Sequence, residues 1–95
     1  MNNITFEWHV EKSGKNLKKH SISFEEAKSV FLDQNALLIN DPDHSEEEDR
    51  FIILGLSASL NLLVVCHCYR SEPETIRIIS ARRASKKESM AYKGK

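Results

Sequence analysis

The sequence lacks a long hydrophobic run. Its longest apolar stretches, Phe51–Leu56 and Leu62–Cys66, are strand-sized and fall well short of the roughly 20 residues that cross a membrane as a helix. The N-terminal residues, MNNITFEWHVEK, have neither the positively charged start nor the apolar core of a secretory signal. We therefore expect a cytoplasmic protein that does not associate with membranes.

Cysteine is scarce, and the two cysteines, Cys66 and Cys68, fall on one expected strand. Alternate strand residues point to the same face but lie about 7 Å apart, at roughly 3.3 Å of rise per residue. That spacing is unfavourable for a disulfide between them, so we expect buried, reduced thiols. His67 points to the opposite face, and no second ligand pair follows at the spacing of a metal site. We therefore expect no metal and no cofactor.

The chain also has no net charge, because 14 lysines and arginines balance 14 acids. This balance conceals an asymmetry. Residues 41–69 contain six acids and one base, whereas residues 70–95 contain eight bases and three acids. The C-terminal quarter therefore has the charge of an anion-binding surface, although a solvated helix face has the same composition. Asp43 and His44 precede further acids, but without the ligand spacing of a metal site, so we expect an exposed acidic loop there.

Internal repeats and low-complexity segments are absent too, and the length suits one domain spanning residues 1–95. Alternating and continuous apolar patterns predict five strands at 4–8, 36–40, 51–57, 62–69 and 76–81. Helical spacing predicts helices at 10–20, from 23 to about 33, and at 84–92. The order β-α-α-β-β-β-β-α is typical of an α+β fold, with an antiparallel sheet of about four to five strands. The two continuously apolar strands, 51–57 and 62–69, should lie centrally.

The second helix has a clear predicted start. Ser23 suits the N-cap, and Glu26 three residues later completes the pattern of a capping box. Phe24, Ala27 and Val30 then recur at helical spacing and predict a face that packs on the sheet.

Histidine and arginine are the side chains best suited to chemistry on a phosphodiester. Histidine titrates near neutral pH and can move protons, while the planar guanidinium of arginine matches phosphate oxygens. Lys19 and His20 close the first helix, where a purely structural interaction with the helix-end carbonyls is the alternative role. His67 has the alternative of a satisfied, half-buried histidine.

The final hairpin is rich in arginine: Arg70, Arg77, Arg82 and Arg83 border its last strand. A pairing of Tyr69 with Arg77 would place both on one sheet face together with His67. Arg70 and Arg82 would then lie on the opposite face. A slip of one residue redistributes them, and the sequence leaves this register open. The arginines fit a partner-binding edge as well as a catalytic centre.

Two aromatic residues have alternative roles. Trp8 suits a core anchor, or an edge position that stacks on a nucleobase. Tyr92 suits helix packing, or a hydroxyl group near a phosphate.

Taken in order, many segments of the chain resemble the BrnT toxins of the RelE-like superfamily. Each motif is weak alone, but the ordered set is specific and covers almost the whole chain. The matching segments include Phe6–Trp8, Lys12 with Asn16, Lys19–His20, Ser23–Ala27, Asp43–Ser45, Leu62–Val65, His67, Tyr69–Arg70, Ile76–Ala84, Glu88 and Tyr92.

This resemblance implies a RelE-like fold and a metal-independent ribonuclease that inhibits translation by cutting RNA. It implies a BrnA-like antitoxin as partner, with operator DNA contacted only through that antitoxin. Carried over to this chain, Arg70 and Arg82 would stabilise the scissile phosphate, with Arg83 assisting. Lys19 and His20 would transfer protons or stabilise charge. A second rank of residues would bind RNA or support the site: Trp8, His67, Tyr69, Arg77 and Tyr92.

The sequence departs from the family pattern at three places. His9 stands where the family usually has Asp, Ser21 where Gly is common, and Leu60–Asn61 where Gly-Arg is frequent. The missing arginine weakens the hairpin tip as an RNA contact. The alternative function is a catalytically inactive interaction module that retains antitoxin binding.

Overall fold

The computed structural model describes residues 4–40, 50–70 and 74–94, and the elements in this part of the chain follow the predicted order. They are β1 (Thr5–Glu7), α1 (Val10–His20), α2 (Phe24–Ser29), a 3₁₀ turn (Val30–Leu32), β2 (Leu37–Asn40), β3 (Arg50–Leu56), β4 (Leu62–Arg70), β5 (Thr75–Arg83) and α3 (Lys86–Lys93). The α+β class is therefore confirmed. The expected acidic loop lies outside the described residues. Within them, no helix is long and apolar enough to span a membrane.

The five strands form one sheet in the order β1-β5-β4-β3-β2. Strands β2 to β5 make the expected antiparallel meander, with β4 at the centre, so the predicted inner position of the two apolar strands is confirmed. The first strand returns to the far edge, where β1 runs parallel to β5 with Phe6 opposite Ile76. There Thr5 and Thr75 also join through their hydroxyl groups, 2.8 Å apart.

Helices α1 and α2 cover one face of the sheet, which we call the helix face. The core between them contains Ile22, Phe24, Ala27, Val30, Ile53, Leu63, Val65, Ile78 and Ala81. The opposite face, called the open face, carries Val64, Cys66, Cys68 and Arg70 from β4, because alternate strand residues point to opposite sides. Cys66 and Cys68 are not joined in a disulfide, as expected; Cys68 is buried, whereas Cys66, contrary to the expectation, is only partly buried.

At the start of α2, one of the two hydrogen bonds of the predicted capping box is present. The Ser23 side chain accepts a hydrogen bond from the Glu26 amide at 3.0 Å. The Glu26 carboxylate, however, accepts hydrogen bonds from Ser57 at 2.6 Å and Asn61 at 2.7 Å. The capping box prediction is therefore wrong for its reciprocal bond. Glu26 instead ties the start of α2 to the turn between β3 and β4.

Close packing at Gly55 brings the 3₁₀ turn onto β3. A Cβ atom at this position would lie 2.9 Å from the Ala36 Cβ and 3.0 Å from Val30 Cγ1. Asp33 lies beside it, and its Oδ2 accepts the Leu56 amide at 2.8 Å. The absence of a side chain at 55 therefore allows the segment after α2 to pack directly on the strand.

Helix α3 contacts β3 and is fixed at both ends. At its start, Ser85 and Glu88 form a complete capping box. Near its end, the Tyr92 hydroxyl donates to Asp33 Oδ2 at 2.7 Å. Asp33 thus anchors both the 3₁₀ turn and the last helix.

Candidate functional site

Asn16, on α1, fastens the helix layer to the sheet. The side chain is buried, and its amide donates to the Ala81 carbonyl at 2.8 Å and to the Ile22 carbonyl at 2.9 Å. Its Oδ1 accepts the Ala81 amide at 3.1 Å. The primary amide therefore satisfies both backbone groups of one strand residue, a pairing for which asparagine has the required donor and acceptor.

This contact joins the two segments that carry four of the predicted catalytic residues. On β5, Arg82 points to the open face, whereas Arg83, opposite Leu63, points to the helix face. Lys19 and His20 follow Asn16 within four residues, about 6 Å along a helix. Arg82 and Arg83 follow Ala81 within two residues, about 7 Å along a strand. We call these four residues the basic end of β5: Lys19, His20, Arg82 and Arg83. His20 is half-buried and the other three are exposed.

The last turn of α1 sets the position of Lys19 and His20. It ends at Ser21, whose φ of 60° and ψ of 27° are left-handed and whose amide donates to the Leu17 carbonyl. Glycine adopts this conformation most readily, which is the physical reason for a helix to end on glycine. Ser21, where the family commonly has Gly, still terminates the helix in the same way.

Arg82 is held by a carboxylate. Its Nη1 and Nη2 donate to Glu88 Oε1 and Oε2 at 2.8 and 2.9 Å, a bidentate pair. Glu88 Oε1 also accepts the Ser85 amide at 2.8 Å, so the same carboxylate caps α3. The hydrogen bonds from Arg82, and secondarily the amide of Ser85, lower the pKa of Glu88 to about 2. Glu88 is therefore ionised at neutral pH and orients Arg82.

Arg83 is positioned through the β3–β4 turn. Its Nη1 donates to Asn61 Oδ1 at 2.8 Å, and the Asn61 amide donates to Glu26 Oε2. Asn61 therefore links one cation to one carboxylate. An arginine at position 61, frequent in the family, could pair with Glu26 directly but would repel Arg83. In this chain the hairpin tip supports Arg83 instead of presenting a charge of its own.

The register of the last hairpin, which the sequence left open, pairs Tyr69 with Ile76 and Arg77 with Cys68. The alternative that pairs Tyr69 with Arg77 is therefore not the register of this hairpin, and the two side chains lie on opposite faces. Because β4 pairs Cys66 with Ser80 and His67 with Ile78, a bulge leaves Ile79 without a strand partner. This extra residue shifts the alternation of β5, so that Arg77 and Arg82 lie on the same face.

The open face consequently carries Arg70, Arg77 and Arg82, but these residues are spread along the strands and do not converge. Arg82 lies opposite Val64, and Arg70 lies six residues further along β4. At roughly 3.3 Å per residue, their backbones are about 20 Å apart. Arg70 also pairs with Glu7 there, Nε to Oε2, at 2.9 Å. The structure does not bring Arg70 and Arg82 together around a single phosphate.

His67 lies on the helix face and is completely buried. Its ring stands edge-on to Phe31 with centroids 4.8 Å apart, and its Nδ1 lies 3.1 Å from the Val65 carbonyl. Desolvation by burial lowers the pKa of His67, an effect that the Val65 hydrogen bond partly opposes. A fully buried ring does not contact a phosphate in solvent. Any role of His67 in RNA binding passes through Tyr69, whose hydroxyl lies 3.2 Å from Nε2.

Tyr69 borders a cleft of about 280 Å³ at the far end of the hairpin. Its side chain is 49% exposed, and burial of the remainder raises the pKa of its hydroxyl. We call this space the Tyr69 cleft; it is lined by Ile4, Tyr69, Arg70, Glu74, Thr75 and Ile76.

Trp8 and Tyr92 make packing contacts. Trp8 is half-buried and stands edge-on to Phe24 with ring centroids 5.9 Å apart. The hydrogen bond from Tyr92 to Asp33, described above, raises the pKa of the tyrosine hydroxyl. These contacts account for both residues structurally.

Sequence reasoning missed Asn16, Glu26, Asp33 and Glu88 as positioning residues. Asn16 matched the family pattern, and its burial on a helix was the available signal, since a buried amide requires partners. Glu26 was assigned only to the cap of α2, Glu88 only to the family pattern, and Asp33 was given no role. Among residues 4–40, 50–70 and 74–94, no three His, Cys, Asp or Glu side chains are grouped to hold a metal ion. Asp43 and His44 lie outside these ranges.

Comparison with solved structures defines the fold class. A structure described as the 1.1 Å crystal structure of the Brucella abortus ribonuclease toxin, BrnT, matches with a TM-score of 0.67 and 21% identity, over 88% of this chain and 100% of that chain. The sequence profile of the family described as ribonuclease toxin, BrnT, of type II toxin–antitoxin systems matches residues 8–88. No match was found among curated proteins. The chain belongs to the BrnT family of ribonuclease toxins, which confirms the resemblance. Membership in a type II toxin–antitoxin family implies an antitoxin partner.

Proposed function

We propose that the chain is an active, metal-independent endoribonuclease whose reacting centre is the basic end of β5. One observation carries this proposal: the Asn16–Ala81 hydrogen bonds hold α1 and β5 together next to Lys19, His20, Arg82 and Arg83. The chain belongs to a ribonuclease toxin family, and imidazole, ammonium and guanidinium groups are suited to proton transfer and charge stabilisation in phosphodiester cleavage.

In the proposed reaction, the 2′-oxygen of one ribose attacks the adjacent phosphorus and the bond to the 5′-oxygen breaks. The products are a 2′,3′-cyclic phosphate and a 5′-hydroxyl. His20 is the candidate to remove the 2′-hydroxyl proton or to deliver a proton to the leaving oxygen, with Lys19 stabilising negative charge. Arg82 and Arg83 balance the charge that builds up on the phosphate. A phosphate that binds Arg82 competes with Glu88, which holds the guanidinium in the free protein.

The remaining predicted residues have supporting parts in this proposal. Arg70 and Arg77 bind the RNA chain away from the cut, because Arg70 is too distant to share the phosphate of Arg82. His67 supports Tyr69, and Trp8 and Tyr92 support the helices around the site.

The biological setting of the proposal follows from the family. Cutting RNA in the cytoplasm would inhibit translation, and a BrnA-like antitoxin would neutralise the enzyme. The complex would reach operator DNA only through that antitoxin. The toxin itself needs no cofactor, because imidazole and guanidinium groups supply the proton transfers and the charge stabilisation.

Cleavage of an end-labelled RNA by the purified chain in excess EDTA tests the proposal. We expect the wild-type chain to cut, and Arg82→Ala or His20→Ala to lose roughly 100-fold or more in kcat/KM. Lys93→Gln, which removes one exposed charge on α3, serves as the control and should cut like the wild type.

Two other results would contradict parts of this proposal. Cleavage abolished by EDTA and restored by a divalent metal would contradict metal independence. An intact RNA with a folded wild-type chain would favour the inactive interaction module. Binding of a co-expressed antitoxin by that inactive chain would then define its function.

A further inference from the structure

The open face has a second basic region, away from the proposed reacting centre. It consists of Arg70 and Arg77, which lie 2.9 and 3.6 Å from the same oxygen of Glu7. The cluster carries two positive charges and one negative charge. Along the same two strands, at roughly 3.3 Å per residue, Arg77 lies about 13 Å and Arg70 about 20 Å from Arg82.

The Tyr69 cleft adjoins this cluster and contains an aromatic ring of fixed orientation. The Tyr69 ring stands edge-on to Phe51 and to His67, with centroids 5.2 Å away in each case. Its hydroxyl is held by the buried His67. Since these contacts immobilise the ring and leave half of it exposed, a planar ligand would stack on it at little further cost in side-chain entropy.

Arg70 gives the cleft a cation beside that ring. Its bond to Glu7 uses Nε, and a guanidinium carries four more N–H donors on its terminal nitrogens. Thr75 and Ile4 complete the wall with a hydroxyl group and an apolar surface. Glu74 also lines the cleft, and its carboxylate suits the amino group of a base rather than a phosphate.

We propose that the Tyr69 cleft binds one nucleotide of single-stranded RNA, away from the cut. The base stacks on Tyr69, and its phosphate pairs with Arg70. This inference rests on the proposed ribonuclease function and adds a subsite to it. Aromatic stacking beside a cation is the common way in which proteins hold single strands without reading a full sequence. Tyr69 points to the helix face and Arg70 to the open face, so the nucleotide sits at the end of the hairpin, where the two faces meet. The RNA continues from there along β4 and β5 toward the basic end of β5.

A comparison of two substrate lengths tests the subsite. A dinucleotide carries only the scissile phosphate, whereas a 12-nucleotide single strand extends about 40 Å when stacked at roughly 3.4 Å per nucleotide. The wild type should therefore have a higher kcat/KM for the longer RNA. Tyr69→Ala should lose this preference by roughly 5- to 150-fold, the loss appearing in KM rather than kcat. Tyr69→Phe keeps the ring and should retain the preference.

Binding measurements separate the subsite from catalysis. A fluorescent 12-nucleotide 2′-O-methyl RNA cannot be cut, because its 2′-oxygen has no proton to lose. Arg70→Gln should weaken its binding and reduce the slope of log Kd against log salt by about 0.7, the value for one phosphate contact in a single strand. Lys93→Gln removes the same charge elsewhere and should leave the slope unchanged.

Three outcomes would overturn the inference. Tyr69→Ala could lower kcat on the dinucleotide as strongly as on the longer RNA, which would place Tyr69 at the reacting phosphate. Tyr69→Ala could also change neither cleavage nor RNA binding. Finally, Tyr69→Ala could leave RNA cleavage and RNA binding unchanged and weaken only antitoxin binding, which would make the cleft a protein interface. If the wild type cuts nothing, the proposed function fails, and the 2′-O-methyl binding data still decide the cleft independently.

Discussion

At the scale of single residues, burial and hydrogen bonding divide the candidate side chains into two groups. His67 lies in the core, whereas His20 is half-buried at a helix end. Sequence spacing could not separate them, because alternation assigns a strand residue to one of two faces but does not tell which face is covered. The continuous apolar run in β4 made both faces look alike. Only the packing of Phe31 on His67 assigns this histidine to the interior.

The burial of His67 predicts a pH dependence of stability. Its pKa is lowered in the folded state, so below the ordinary value of 6.5 the unfolded chain binds the proton more readily. The stabilising contribution is therefore complete above pH 6.5 and is lost as the pH falls through the folded-state pKa. Urea unfolding across this range should show the loss in the wild type.

Replacing the His67 imidazole should remove this pH-dependent part of the stability. His67→Gln should be less stable at pH 7.5 but should lose less stability on acidification, while the exposed His9→Gln should follow the wild type. Parallel curves for His67→Gln and the wild type would contradict the assignment.

At the scale of helices and strands, local patterns predicted most of the elements and none of their registers. Strand alternation and helical spacing gave most boundaries to within about two residues, because they reflect the side chains of the element itself. The second helix is the exception: it ends at Ser29 and continues to Leu32 as a 3₁₀ turn. The bulge at Ile79 depends on how β5 meets β4, which no single segment encodes. The parallel pairing of β1 with β5 joins segments some 70 residues apart and was likewise invisible.

Two glycine-to-alanine substitutions should have opposite effects on stability, because Gly55 is closely packed and Gly14 is not. Gly55→Ala should lower the free energy of unfolding by roughly 1–3 kcal/mol, because its Cβ would overlap Ala36 and Val30. Gly14→Ala should raise it by roughly 0.5–1 kcal/mol, since that helical position has open space around it. Chemical denaturation of both variants checks the pair, and equal effects would argue against close packing at 55.

At the scale of the whole molecule, one buried amide connects the helix layer to the strand that carries the basic end. The candidate site is therefore shared by segments more than 60 residues apart in sequence. The resemblance to the BrnT family placed five residues in one catalytic group: Lys19, His20, Arg70, Arg82 and Arg83. It could not reveal that Arg70 lies at the other end of the hairpin, since that requires the strand register.

Removing the side-chain amide of Asn16 should lower both the stability of the fold and the rate of RNA cleavage. Asn16→Ala leaves the Ala81 amide and two carbonyls without their side-chain partner, so the free energy of unfolding should fall by roughly 2–4 kcal/mol. RNA cleavage under conditions where the variant remains folded should also fall. Lys12→Ala, an exposed change on the same helix, should stay within about 0.5 kcal/mol. A variant that is destabilised but cuts at the wild-type rate would separate the amide from the site.

The pairing of the first strand with the last has a consequence for synthesis. During translation β1 leaves the ribosome well before β5, which is its neighbour in the sheet among the described strands. Until then Phe6 has no strand beside it, and Asn16 has no Ala81 to bind. Long-range pairings form late because the intervening chain must be ordered first. The side chains grouped around β5 therefore stay apart in the nascent polypeptide until that strand has been synthesised.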